Sequence, residues 1–221
     1  LAEHPDEHMV KPKLAYLSNS SECGTVYSKA ELAALNRCCR ENGLYLYMDG
    51  ARLGSALCAS DLTMQDIGAL TDAFYVGGTK NGALLGEALV ICNDALKPDF
   101  RYILKQRGGM LAKGLVLGAQ FEALFEDGLY YKLAEHANRM ADLLREGLRA
   151  VDCAFFSDSP TNQIFPILSD SLIETLAQDY AFETWGRVDA EHQAIRLVTS
   201  WATPEEAVRE FVQDLHRLCA K

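Results

Sequence analysis

Apolar residues recur at helical spacing between residues 28 and 42, where Leu32, Leu35 and Cys39 share one face. Ser28 and Glu31 form an S-x-x-E capping box, and Asn42-Gly43 ends the helix. A short apolar run over 44–48 then stops at Asp49-Gly50. Its length and its place between helical segments predict a buried parallel strand. A helix is predicted over about 63–70. Two further apolar runs follow, 73–76 ending at Gly77-Gly78 and 88–92 ending at Asn93-Asp94. Strand, helix, strand is the alternation of an α/β fold with an open parallel sheet.

Past residue 100 the texture changes. Glycines at 108, 109, 114 and 118 interrupt a largely helical stretch. Leu129, Leu133, Ala137, Met140, Leu144 and Leu148, spaced by threes and fours, predict a strongly amphipathic helix. Short strands are predicted at 153–156, 163–168, 181–185 and 195–199. A closing helix carries Val208, Phe211, Val212, Leu215 and Cys219 on its apolar face. Thr203 is its expected cap, with Pro204 at its first position and Glu206 completing a capping box. The expected division is an α/β domain with a connecting helix over 1–127 and a smaller α+β domain over 128–221.

Composition narrows the possibilities. At 49% hydrophobic and 24% charged, 221 residues can bury a sizeable core. No apolar run approaches the roughly 20 residues of a membrane span. The polar opening through His8 does not read as a secretory signal, so none is expected there. The net charge of −10 argues against a nucleic-acid partner. It also means that any anionic ligand must be held by local Arg or Lys. Seven scattered cysteines without a C-x-x-C pair predict free thiols, a cytoplasmic location and no metal site. The chain opens on Leu1, so a fragment or a processed chain is expected.

Open α/β sheets bind ligands beyond the carboxyl ends of their strands. Two such ends carry unusual residues, Asp49-Gly50-Ala51-Arg52 and Gly77-Gly78-Thr79-Lys80. Alone, the aspartate reads as a turn residue or cap, and the lysine as a solvated loop residue. Neither a P-loop nor a G-x-G-x-x-G is present. Asp49 and Lys80 lie 31 residues apart, which suits one crossover between neighbouring strands. Together they offer what pyridoxal phosphate requires: an amine to bond its aldehyde and a carboxylate opposite its ring nitrogen. Burial among apolar neighbours would favour the neutral amine.

The stretches Met48-Asp49-Gly50-Ala51-Arg52-Leu53 and Gly78-Thr79-Lys80-Asn81-Gly82-Ala83 resemble those of the threonine aldolases. These belong to the aspartate-aminotransferase-like, or fold type I, pyridoxal phosphate enzymes, grouped with the aromatic amino acid β-eliminating lyases. Three further stretches resemble one branch: Asn19, Glu22, Gly24, Thr25 and Tyr27; 105–114; and 195–201. The resemblance implies the C-terminal portion of a fold type I large domain with a mostly parallel sheet, plus a small α+β domain. It implies that Lys80 bonds pyridoxal 5'-phosphate and Asp49 pairs with its ring nitrogen. Ala51 would pack on the ring and Thr79 contact the cofactor. Arg52 and Arg196 would grip the substrate carboxylate. For Arg196 alone, a strand-edge ion pair is the competing reading.

The implied reaction cleaves β-hydroxy-α-amino acids, such as L-threonine and L-allo-threonine, to glycine and an aldehyde. The implied assembly is a homodimer or homotetramer. The sequence departs from the family in two places. Leu111 follows Met110 where better-known members have a phosphate-binding arginine, which leaves Arg107 and Lys113 as candidate cations. The glycine-rich phosphate turn and ring-stacking histidine of the family's N-terminal third are not found before residue 28, where His4 and His8 read as solvated. Two alternatives stay open: another pyridoxal phosphate lyase acting by β-elimination, or an inactive fragment that needs its N-terminal segment.

Overall fold

The chain's first strand has no clear sequence signal. In the computed structural model, which describes residues 3–4 and 6–220, Leu14–Ser18 forms β1. Leu1, Ala2 and Pro5, on which the reading of the polar opening partly rests, lie outside the described residues. Only Leu17 of β1 is buried, so its apolar pattern is weak. Ser28 caps α1 (Lys29–Glu41) through the expected capping box with Glu31. Next come β2 (Tyr45–Asp49), the short α2 (Leu53–Cys58), α3 (Met64–Leu70) and β3 (Ala73–Gly77). Thr63 caps α3 in a second capping box, with Asp66. Nothing in the sequence marks α2: Arg52 makes no side-chain cap, and residues 53–57 are simply buried.

The last strand of this sheet, β4 (Glu87–Ile91), departs from the expected parallel pattern. The sheet runs β1-β2-β3-β4. Its first two pairings are parallel, and β3–β4 is antiparallel. The connection from Gly77 to Glu87 is too short for a crossover helix, so the chain folds straight back. Gly82 and Gly86 supply the left-handed backbone for that turn, at φ 107° and 95°. β2 is also less enclosed than its apolar run suggests. Leu46 and Met48 are buried on one face, whereas Tyr45, Tyr47 and Asp49 on the other are only half-buried.

Two short helices, α4 (Phe100–Gln106) and α5 (Leu115–Phe125), flank the glycine-rich interruption. The amphipathic α6 (Leu129–Arg149) follows. The second sheet holds β5 (Gln163–Ile164) and β6 (Ile167–Ser169); after α7 (Asp170–Leu176) come β7 (Glu183–Arg187) and β8 (His192–Val198). All its pairings are antiparallel and centre on β8. The strand expected at 163–168 is split at Pro166, which has no N–H to donate. The strand expected at 153–156 is reduced to one bridge, Phe155 to Pro166.

The closing helix, α8 (Glu205–Cys219), starts one residue later than expected. Pro204 is its N-cap with an extended ψ of 141°, and no side chain caps the helix. Thr203 instead accepts the Ser200 N–H at 2.8 Å, and Glu206 completes no capping box. Val208, Phe211 and Leu215 are buried, but Cys219 is exposed.

Two apolar clusters result. One packs Leu46, Met48, Leu53, Ile67, Phe74 and Tyr130 beneath the first sheet. The other packs Met140, Leu148, Ile164, Ile195, Phe211 and Leu215 beneath the second. α6 supplies residues to both, Tyr130 to the first and Met140 to Leu148 to the second. Among the described residues no helix is long and apolar enough to cross a membrane.

Candidate active site

Asp49 ends β2 between two phenols. Tyr16 of β1 donates to Oδ2, and Tyr75 of β3 donates to Oδ1 at 2.5 Å. The Ala51 N–H adds a further bond to Oδ1 at 2.9 Å. Burial alone would raise the Asp49 pKa. The bonds from Tyr16, Tyr75 and Ala51, with the charge of Lys80, outweigh it and hold the carboxyl below its ordinary range. Asp49 is therefore a carboxylate at neutral pH.

Glycines let the two strand-end turns touch. The Gly77 N–H donates to the Gly50 carbonyl at 2.9 Å. A Cβ on Gly77 would sit 2.3 Å from the Ala51 carbonyl oxygen, so no larger residue fits. Asn81 ties the same turns from below. Its buried amide donates to the Gly77 carbonyl at 2.8 Å and lies 3.5 Å from the Ala51 carbonyl. A single turn of 3-10 helix, Thr79–Asn81, thus points Asn81 inward and leaves Thr79 and Lys80 exposed. The expected burial of Lys80 is not met within this chain, because the buried position of that turn goes to Asn81.

Arg52 follows directly on the Asp49 turn and is half-buried. Burial, then the like charge of Arg196, pulls its pKa below the ordinary guanidinium value, while Glu22, Glu183 and Asp49 oppose them. Its side chain makes no hydrogen bond or ion pair among the described residues. Arg196, on β8, is better supported. It pairs with Glu183 of β7, lies 5.3 Å from the centroid of the Trp185 ring, and reaches Gln163 Oε1 at 3.4 Å. The strand ion pair that competed as a reading of Arg196 is thus present, but among the described residues it leaves the buried Nε without an acceptor.

A second buried donor lies at the same edge. Asn19 is fully buried at the end of β1, and its N–H donates to the Asp49 carbonyl at 2.9 Å. Its Oδ1 accepts the Tyr27 N–H at 3.4 Å, while Nδ2 has no partner among the described residues. Such donors are costly to bury unless a ligand or solvent completes them. The loop after Asn19 then docks on the second half of the chain. Ser159 and Thr161 hydroxyls donate to the Gly24 carbonyl at 3.1 and 3.2 Å. Gly24, at φ 76°, has no room for a side chain: a Cβ would lie 2.2 Å from Ser159 Oγ.

The fold therefore brings Asp49, Ala51, Arg52, Thr79 and Lys80 to one sheet edge, with Arg196 within electrostatic reach of Arg52. It does not join Arg107 and Lys113 to them. Both are exposed around the α4–α5 break, with no hydrogen bond or ion pair to this cluster among the described residues. The histidines of the second half have structural partners: His136 the Thr203 carbonyl, His216 the Gly147 carbonyl and His192 the Asp189 carboxylate. His192 stands at the start of β8. Sequence reading missed Tyr16, Tyr75 and Asn81. Recognising β1 would have exposed Tyr16, and the run at 73–76 already carried Tyr75; strand alternation in the paired register places both on the face of Asp49.

The low specificity L-threonine aldolase of Pseudomonas aeruginosa is 36% identical over 214 residues, covering 95% of this chain and 61% of the relative. The chain thus spans about 61% of that relative's length. The structure of Leishmania major threonine aldolase is 48% identical with a TM-score of 0.97, over 99% of this chain and 65% of that one. Thermus thermophilus aspartate aminotransferase, as a double mutant, shares the fold at a TM-score of 0.66 and 18% identity, over 95% of this chain and 58% of that one. The family described as beta-eliminating lyase matches residues 1–171, most of the chain, and to that family the chain belongs.

Proposed function

We propose that the protein is a pyridoxal phosphate-dependent aldolase that cleaves L-threonine and L-allo-threonine type β-hydroxy-α-amino acids to glycine and an aldehyde. One observation carries this reading: an ionised aspartate and a lysine stand on touching turns at neighbouring strand ends, beside the half-buried Arg52. Relatives named threonine aldolase support it.

The residues fit the cofactor. Ionised Asp49 suits a ring nitrogen that carries a proton, and the orphan Nδ2 of Asn19 suits an acceptor at the same edge. When bound, pyridoxal phosphate supplies an electron sink for the pair released at the substrate Cα. Lys80 provides the amine that holds it, and Ala51 and Thr79 line it. Arg107 and Lys113 stay candidates for its phosphate by their place in the sequence alone. Arg52 and Arg196 bind the substrate carboxylate, which is how a chain of net charge −10 holds an anion. Gripping that carboxylate fixes the direction of the Cα–Cβ bond, and orientation of this kind lowers the barrier directly. The same reading expects a homodimer or homotetramer.

Product analysis of the full-length protein tests the proposal, using L-threonine, L-allo-threonine and an aromatic amino acid with added cofactor. Glycine and acetaldehyde from the first two support the aldolase. Ammonia and pyruvate from the aromatic substrate would assign β-elimination instead, the reading that the family's description favours.

A further inference from the structure

Asp49 sits on the middle one of three neighbouring strands, and each outer strand sends one phenol to it. Tyr16 takes Oδ2 and Tyr75 takes Oδ1. With a phenol on each oxygen and the Ala51 N–H also on Oδ1, the carboxylate cannot rotate without breaking a bond. We propose that Tyr16 and Tyr75 are positioning residues that clamp Asp49 from both sides, keeping it ionised and aimed at the ligand beyond the strand ends. This rests on the reading of Asp49 as partner of the cofactor's ring nitrogen.

Acceptor capacity supports the clamp. An ionised carboxylate has about four lone-pair sites. Tyr16, Tyr75 and the Ala51 N–H use three of them. That leaves a place for one further N–H donor, which is what a protonated ring nitrogen offers.

The phenols are suited to donate and not to compete for the proton. The Asp49 bond, then burial, raises the Tyr16 pKa; burial, then the Asp49 bond, raises that of Tyr75. Both stay protonated at neutral pH, where Asp49 is ionised. The other charged and titratable groups facing this cluster are few. Tyr47 of β2 stacks on Tyr16 with ring centroids 5.7 Å apart. Lys80 and Arg52 act on Asp49 as cations, and Glu87 of β4 acts on Tyr75 as an anion. None of these bonds the Asp49 carboxylate among the described residues. A phenylalanine at 16 or 75 keeps the ring and removes only the donor.

The test uses full-length protein and two readouts. The first is the Asp49 carboxyl titration in cofactor-free protein, followed by carbon-13 NMR with Asp49→Asn to assign the signal. Tyr16→Phe and Tyr75→Phe should each move its midpoint to higher pH, and the double variant further. The second is cofactor affinity against pH. The acid limb of that curve should move up with the same variants, with affinity falling about tenfold on the acid side, the scale of one lost hydrogen bond to a charged group. Asp49→Asn should abolish the limb. An unmoved Asp49 titration in both phenylalanine variants overturns the clamp and leaves the role of Asp49 standing. If the titration moves but Asp49→Asn leaves cofactor affinity intact at every pH, the ring-nitrogen reading fails and the proposal falls with it.

Discussion

The Asn81 amide nitrogen lies 3.3 Å from the Tyr130 hydroxyl, directly beneath the turn that presents Lys80. Tyr130 is the second residue of α6 and is fully buried, and its oxygen also accepts the Gly54 N–H at 3.1 Å. One phenol thus braces the lysine turn and the helix that follows Asp49. Asn81→Ala should destabilise the fold by about 1–3 kcal/mol, because it leaves buried polar partners unpaired. Urea unfolding measures this. Tyr130→Phe should cost less, about 1 kcal/mol, since it keeps the ring and loses only the hydroxyl.

Lys80 carries the sharpest prediction. Borohydride treatment of the cofactor-loaded, full-length protein should attach the cofactor irreversibly to Lys80. Peptide mapping by mass spectrometry locates the label. A label on any other lysine contradicts the assignment, and Lys80→Ala should take up none.

Glu183 occupies Arg196 in the structure and so competes with a substrate carboxylate. Its side chain is 66% exposed, so the ion pair is weak and easily displaced. Glu183→Gln should lower KM for the amino acid about twofold to fivefold, the range of an exposed ion pair, with kcat little changed. Arg196→Lys should raise KM, because a lysine loses both the planar fork and the stacking on Trp185. Steady-state kinetics at fixed pH separates these outcomes.

Asp66 is the clearest pH-linked group outside the site. Its bond to Lys29 and its capping bonds to Thr63 hold its carboxyl down at about 2. The unfolded chain titrates it near ~3.9. A folded pKa below the unfolded one means the contribution is complete above the unfolded value and is lost as pH falls toward about 2. Asp66→Asn should therefore flatten the acid side of the Tm–pH curve and leave its neutral side parallel to wild type. An unchanged acid slope would contradict this.

Much of the fold was legible because local chemistry and tertiary context agree. The capping box at Ser28 and Glu31 forms as read, and the apolar spacing of 129–148 becomes α6. The runs at 44–48, 73–76 and 88–92 all become strands, each within one residue. The elements that were not legible have weak local signals. β1 buries one residue, α2 has no side-chain cap, and the Thr203 hydroxyl bonds Ser200 before it can cap α8.

For the site, the sequence by itself determined which residues could do the chemistry and how far apart they stand along the chain. Asp49-Gly50-Ala51-Arg52 and Thr79-Lys80-Asn81-Gly82 each end an apolar run, and that pattern is local. Tertiary structure alone decided the surroundings. It set Tyr16 and Tyr75 on either side of Asp49, brought Arg196 across from another sheet toward Arg52, and turned Asn81 inward so that Lys80 faces out. The physical reason is range. Capping bonds and apolar periodicity act over a few residues and are written in the sequence. Hydrogen bonds and charge effects between strands depend on which chain segments the sheet places side by side.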